Sequence, residues 1–311
     1  MSNYSVVIHG GSGTILRENM SVEMETAYIN GLTEAVNEGF KVLGKGQSAT
    51  IAVKTVIMLL EDNVLFNAGR GSVFTKDGQH EMDAAIMDGS SLAAGAVAAV
   101  QNIRNPVELA EKVMLNSEHV FLCREGALEF AKAMNVKIEA DDYFFSQFRY
   151  NQWQAVKDKD ITALDHDILL AENKFGTVGA VACDKQGNIA AATSTGGMTN
   201  KQYNRIGDSP LIGCGTYANN NTCAISCTGH GEPFIKAVAA YDVSCLMEYK
   251  GLSLEEAMNI VVHEKLIKIK GEGGMIGVDA KGNASMIFNS AGMYRGLKSS
   301  NGMHQVAIYK E

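Results

Sequence analysis

Gly176-Thr177-Val178-Gly179-Ala180-Val181-Ala182-Cys183, then Asp184-Lys185-Gln186-Gly187-Asn188, then Ile189-Ala190-Ala191-Ala192-Thr193-Ser194-Thr195 carries the clearest fold signal in the chain. Two apolar runs flank a polar turn holding Gly and Asn, which predicts a β-hairpin. The signal starts abruptly. Residues 137–175 upstream hold Asp141-Asp142, Lys157-Asp158-Lys159-Asp160 and Asp165-His166-Asp167, with no clean period. That passage reads as a loose linker with local helix. Downstream, Thr222–Cys227 predicts a third strand, and Met275–Val278 with Ala284–Asn289 a second hairpin across Lys281-Gly282. Gln305–Tyr309 reads as a closing strand, and Ser5–Ile8 as an opening strand that breaks at His9-Gly10-Gly11-Ser12-Gly13.

Helical spacing covers about 21–43, through Tyr28, Leu32, Ala35, Val36, Val42 and Leu43. A Ser48 cap predicts a helix to about Leu60, Pro106 one to Met114, and 124–134 another. A helix from Pro233 to about Tyr249 is followed by one with a Ser253/Glu256 capping box. Strands in hairpin pairs with helices grouped between them predict an α+β fold, layers of helix on antiparallel sheet, not βαβ alternation.

The chain has 311 residues, 46% hydrophobic, enough to bury a sizeable core. Its 27 Lys and Arg against 35 Asp and Glu give a net charge of −8, which argues against nucleic-acid binding. No apolar stretch is long enough to cross a membrane, and the N-terminus lacks the basic and apolar regions of a signal peptide. The six cysteines form no C-x-x-C and no disulfide-like spacing, so reduced thiols in a cytoplasmic protein are expected. Cys223 and Cys227 should share one face of their strand.

The His9–Gly13 loop invites a nucleotide-binding reading. The dinucleotide fingerprint G-x-G-x-x-G fails here, because Gly11-Ser12-Gly13 is followed by Thr14-Ile15-Leu16. A tight turn aiming backbone N–H groups at a site fits better. Between Gly176 and Gly231 lie Gly176-Thr177, Thr193-Ser194-Thr195-Gly196-Gly197, Arg205-Ile206-Gly207-Asp208-Ser209-Pro210 and Thr228-Gly229-His230-Gly231. Each alone is ordinary strand and turn chemistry. Together they resemble a family.

The chain resembles the plant-type L-asparaginases, or isoaspartyl peptidases (β-aspartyl-peptidases), of the N-terminal-nucleophile hydrolase superfamily. The further anchors are His9-Gly10-Gly11, Phe66-Asn67-Ala68-Gly69, Met82-Asp83-Ala84, Met87-Asp88-Gly89, Gly95-Ala96-Val97-Ala98 and Arg104-Asn105-Pro106. The resemblance implies a four-layer αββα sandwich and one catalytic domain over 1–311. It implies self-cleavage between Gly176 and Thr177 into chains 1–176 and 177–311, with a flexible linker at 137–175. The freed Thr177 would be the nucleophile, and its α-amine, with an ordinary pKa of about 7.7–8.0, the base. Thr195 would hydrogen-bond the nucleophile's hydroxyl, and Thr228 with Gly229 would hold the oxyanion. Arg205 would bind the α-carboxylate and Asp208 the α-ammonium of an L-aspartyl group, beside Gly231. Asn67 would shape the site.

The resemblance further implies a structural sodium ion bound through the main chain of Leu60, Glu61, Asn63, Phe66, Ala68 and Arg70. Catalysis would need no cofactor. Substrates would be L-asparagine and β-aspartyl dipeptides, and the assembly a homodimer of αβ units. His9 and His230 are read as structural and as a lining or surface residue. Two alternatives stand beside this reading. One is a glycosylasparaginase-like amidase, disfavoured by Gly176 where that branch has an acidic residue. The other is a folded, uncleaved, non-catalytic member of the family.

Overall fold

The computed structural model describes residues 3–158 and 176–310. Twelve strands among them are β1 (Ser5–Gly13), β2 (Met82–Asp88), β3 (Ala94–Val100), β4 (Phe121–Cys123), β5 (Val178–Cys183), β6 (Ile189–Thr195), β7 (Thr216–Ala218), β8 (Cys223–Gly229), β9 (Gly273–Asp279), β10 (Ala284–Phe288), β11 (Gly292–Ser299) and β12 (His304–Tyr309). The helices are α1 (Val22–Gly44), α2 (Ala49–Asp62), α3 (Pro106–Asn116), α4 (Arg124–Ala133), α5 (Asp141–Phe144), α6 (Gln147–Val156), α7 (Gly231–Ala237), α8 (Ala239–Lys250), α9 (Leu254–Asn259) and α10 (Leu266–Lys268).

Eight strands form one sheet in the order β12-β11-β1-β5-β6-β2-β3-β4, and four form a second in the order β10-β9-β8-β7. All pairings are antiparallel except β3 with β4. The expected hairpin sits at the centre of the larger sheet, with Val178 opposite Ser194 and Cys183 opposite Ile189.

Alternation along the strands shows how the sheets are stacked. Side chains of a strand point alternately to opposite faces. Val6 and Ile8 of β1 join a core with Leu32, Val36, Val53 and Val56 of α1 and α2. Val7 between them joins a second core with Val181, Ile276 and Val278, which fills the space between the two sheets. Cys223, Ile225 and Cys227 of β8 enter a third core with Val243, Leu246 and Val261. The two cysteines therefore do share a face. With both faces covered, the central strands read as unbroken apolar runs. All six cysteines are free thiols.

The short strands β4 and β7 were unassigned from the sequence, and three larger features depart from its reading. Gly292–Ser299, unassigned from the sequence, is β11, the partner of β1 from Ser5 opposite Ser299 to Gly13 opposite Gly292. The helix expected from Pro233 to Tyr249 starts at Gly231 and breaks at Val238, which takes a left-handed conformation (φ 48°) between α7 and α8. The passage read as a loose linker is packed in its first part. α5 and α6 lie there, and the wholly buried Arg149 of α6 donates from Nε to the Gly71 carbonyl at 2.9 Å. Trp153 stacks on Phe74 with ring centroids 5.5 Å apart. An aromatic cluster spread over 74–153 has no helical period to betray it. The rest of that linker, 159–175, lies outside the described residues.

Candidate active site

Antiparallel pairing brings several strand ends to one place. Thr177 immediately precedes β5, Thr195 ends β6, and Gly11 lies near the end of β1, all neighbours in the larger sheet. Thr228 and Gly229 end β8 of the facing sheet. Segments 11–12, 176–177, 195–197, 205–209 and 228–231, far apart in sequence, thus meet.

Gly176 and Gly11 touch main chain to main chain. Gly11 has φ +116°, and a β-carbon there would lie 2.5 Å from the Gly176 nitrogen. Only glycine accepts both that conformation and that approach. A β-carbon at 176 would lie 3.1 Å from Thr228 Oγ1. The Thr228 hydroxyl therefore stands beside the residue that precedes Thr177. It is fully buried and has no hydrogen-bond partner among the described residues. Ser12 Oγ donates to the Thr228 carbonyl at 3.1 Å and holds this corner.

Thr177 is buried, 8% exposed, with its hydroxyl 3.3 Å from Ser209 Oγ. The expected partner was Thr195. Thr195 does sit at the adjoining end of β6, but its hydroxyl accepts the Gly197 N–H at 3.0 Å. Asn67 braces the same turn, donating from Nδ2 to the Gly197 carbonyl at 2.8 Å and accepting the Val73 N–H at 3.1 Å. Its main-chain carbonyl takes the Gly196 N–H at 3.0 Å.

Arg205 and Asp208 do not neutralise each other. Arg205 gives Nε and Nη2 to the two oxygens of Glu232, each at 2.9 Å. This fork spends two of the five guanidinium N–H donors and fixes the plane of the rest. Glu232 also meets His230 Nε2 at 3.0 Å, so His230 supports the clamp from outside. Asp208 is 3% exposed, and its Oδ2 has no partner among the described residues. Burial pushes its carboxyl up to about 7, opposed by the nearby Arg205 charge. Gly231 lies between the two. A β-carbon there would be 2.9 Å from both Arg205 Nη2 and Asp208 Oδ1, so any side chain would fill the cleft.

The loop after α2 clusters main-chain carbonyls of the kind an alkali cation takes. Its main chain is drawn tight. A β-carbon at 71 would lie 2.0 Å from the Phe66 carbonyl oxygen and 2.7 Å from that of Val64, and one at 69 would lie 2.5 Å from that of Glu61. Such clustered carbonyls are hard oxygen donors with a lone pair each to spare. Glu61 Oε1 accepts the Val107 N–H at 3.0 Å, and burial raises the carboxyl to about 8. Among the described residues no group of three or more His, Cys, Asp and Glu could hold a metal ion.

The sequence reading did not single out Ser209, Glu232, Ser12 or the contacts of His9. Ser209 and Glu232 directly follow Asp208 and Gly231, and that adjacency was the available signal. His9 was read as structural, yet its Nδ1 lies 2.9 Å from the Thr177 carbonyl oxygen.

The site thus brings together a buried threonine hydroxyl, the Arg205–Glu232 pair and the buried Asp208 on a two-sheet scaffold. The asparaginase family model matches residues 2–308, and the chain belongs to that family. It is 49% identical over 313 residues to an isoaspartyl peptidase of Escherichia coli (strain K12), covering 100% of this chain and 98% of that protein. It is 50% identical over 313 residues to an isoaspartyl peptidase of Salmonella typhimurium, covering all of both chains. A probable isoaspartyl peptidase/L-asparaginase 2 of Arabidopsis thaliana is 39% identical over 330 residues, again over the whole of both.

Proposed function

We propose that this chain is a self-processing threonine amidohydrolase that hydrolyses β-aspartyl dipeptides and L-asparagine. One observation carries the reading: two buried polar atoms without a partner among the described residues, Thr228 Oγ1 and Asp208 Oδ2, lie in this site, where such a substrate would pair them. Thr228 Oγ1 offers a donor, Asp208 Oδ2 an acceptor, and Arg205 its remaining N–H groups. Leaving buried polar atoms unpaired costs about 1–3 kcal/mol each, so a ligand of matching pattern is favoured there.

In the first reaction the Thr177 hydroxyl attacks the Gly176 carbonyl carbon. The O–C bond forms, the C–N bond to Thr177 breaks, and the nitrogen takes the proton. Water then hydrolyses the ester and leaves Thr177 with a free α-amine. In the second, that amine takes the hydroxyl proton while the oxygen attacks the side-chain carbonyl of the substrate. Thr228 Oγ–H and the Gly229 N–H hold the oxyanion. The proton passes to the leaving amine, and water releases aspartate from Thr177. Arg205 holds the substrate's α-carboxylate and Asp208 its α-ammonium.

The three stacked cores support a four-layer αββα sandwich. A sodium ion held by the carbonyls of Leu60, Glu61, Asn63, Phe66, Ala68 and Arg70 would rigidify the loop from which Asn67 reaches the Gly197 turn. The free thiols favour the cytoplasm, and among the described residues no helix is long and apolar enough to cross a membrane. We assign the working form as a dimer of αβ units, which size-exclusion chromatography with light scattering checks.

The deciding experiment is intact mass with N-terminal sequencing of fresh and aged protein, beside a β-aspartyl dipeptide assay. Two fragments, the smaller starting Thr-Val-Gly-Ala, with dipeptide hydrolysis, are expected. Thr177→Ala should stay as one chain and hydrolyse nothing; hydrolysis by that variant would overturn the assignment.

A further inference from the structure

Five short contacts run in one line beneath Thr177. His9 Nδ1 lies 2.9 Å from the Thr177 carbonyl oxygen, and Nε2 lies 2.9 Å from Ser226 Oγ. Ser226 Oγ is 2.7 Å from Thr193 Oγ1, which is 2.6 Å from Thr216 Oγ1. Thr216 Oγ1 ends the line 2.9 Å from the Ser209 carbonyl oxygen. All four side chains are wholly buried. Gly179 makes room for them: a β-carbon there would lie 2.1 Å from both His9 Nε2 and Ser226 Oγ.

Both ends of this line are carbonyl oxygens, which only accept. Five contacts need five protons. Three hydroxyls supply three, a neutral imidazole one and an imidazolium two. Magnitudes decide the state of His9. A buried imidazolium with no counter-ion costs several kcal/mol, and one unmade hydrogen bond about 1–3 kcal/mol. The neutral ring wins, in keeping with a His9 pKa lowered by burial to about 3.

We propose that His9, Ser226, Thr193 and Thr216 form a positioning ladder, one proton short, that ties the main chain of the nucleophile to the Ser209 segment beside the substrate clamp. The missing proton has a preferred place. With Nε2–H, the Nδ1 lone pair would face the Thr177 carbonyl, a clash that cannot rotate away. With Nδ1–H, the gap falls among the hydroxyls, where Thr193 can also turn to the Gly215 carbonyl at 3.4 Å. His9 is therefore the Nδ1–H tautomer, donating to Thr177 and accepting from Ser226. The ladder sets the distance between Thr177 and Ser209, whose hydroxyls face each other. The role in turnover rests on the function proposed above; the ladder itself does not.

Two measurements test it. Nitrogen-15 NMR of the His9 ring in the whole protein should show a neutral Nδ1–H imidazole between pH 5 and 8. An Nε2–H tautomer or an imidazolium would overturn the ladder. In cleaved enzyme, Thr193→Val should lower kcat about tenfold and raise KM for a β-aspartyl dipeptide, since small misplacements of reacting groups are costly. Thr193→Ser should restore both to within about twofold. A merely structural Thr193 would lower Tm and leave kcat and KM of the folded enzyme unchanged, which refutes positioning. If Thr193→Val does not fold, Ser226→Ala replaces it under the same criteria. If wild type neither cuts itself nor hydrolyses the dipeptide, the proposed function fails while the NMR result still judges the ladder.

Discussion

The two walls of the site are built from opposite materials. The wall around Thr177 is neutral: Thr195, Ser209, Thr228 and, beneath them, a hydroxyl ladder ending on main-chain oxygens. The facing clamp is charged, with Arg205 forked onto Glu232 and Asp208 buried beside them. A neutral donor left unpaired costs about 1–3 kcal/mol, much less than an unpaired buried charge. Charges are costly to bury, so Arg205 comes with its own counter-ion and Asp208 gains charge only around neutral pH. On the proposed function the two walls divide the labour: chemistry on the hydroxyl wall, recognition on the charged one.

That division breaks if variants of the two walls behave alike. Thr228→Ala should have the largest effect, lowering kcat about 10²–10³-fold with KM little changed. Arg205→Ala should act on the other parameter. Losing about 2 kcal/mol of charge-assisted bonding raises KM about 30-fold, measured by steady-state kinetics on a β-aspartyl dipeptide.

Asp208 sharpens the contrast through pH. Burial raises its carboxyl to about 7, so below that pH it takes a proton and loses its hold on an ammonium group. KM should rise as pH falls from 7 to 5, approaching tenfold per unit, whereas Asp208→Asn should show a high KM without that slope. Glu232→Gln keeps one acceptor for Arg205 but loses the charge, and should raise KM only several-fold. A kcat effect larger than the KM effect would refute the assignment of Glu232 to recognition.

The smallest expected effect concerns stability. Glu61 rises from 4.5 to about 8 because it is buried. The folded protein then holds a proton that the unfolded chain has released between those values. The stability that protonated Glu61 contributes is full below about pH 4.5 and is lost as pH rises through about 8. Glu61→Gln stays neutral and should lose that slope, gaining about 2 °C in Tm over wild type above pH 8. Equal Tm–pH curves would place the proton elsewhere.

Legibility followed locality. The β5–β6 hairpin was readable because apolar runs and a Gly-Asn turn sit within twenty residues. The Ser253/Glu256 capping box was readable for the same reason and is present in full. β11 was not: Gly292 and Gly296 interrupt it, and Lys298 breaks its apolar pattern. Its pairing with β1, nearly 300 residues away, makes it a strand. The α7–α8 break was equally hidden, since the apolar run across Val238 gives no sign of a left-handed turn.

Sequence alone was enough for the α+β class, the central hairpin and a set of Thr, Arg, Asp and Gly positions that converge on one site. Those follow from period, turn chemistry and motif, all local properties. The partners came only with the fold: Ser209 rather than Thr195 on the Thr177 hydroxyl, Glu232 on Arg205, and His9 on the Thr177 carbonyl. A hydrogen bond is set by positions to within a few tenths of an ångström. Such positions come from sheet register and the packing of two sheets, which no short stretch of sequence contains.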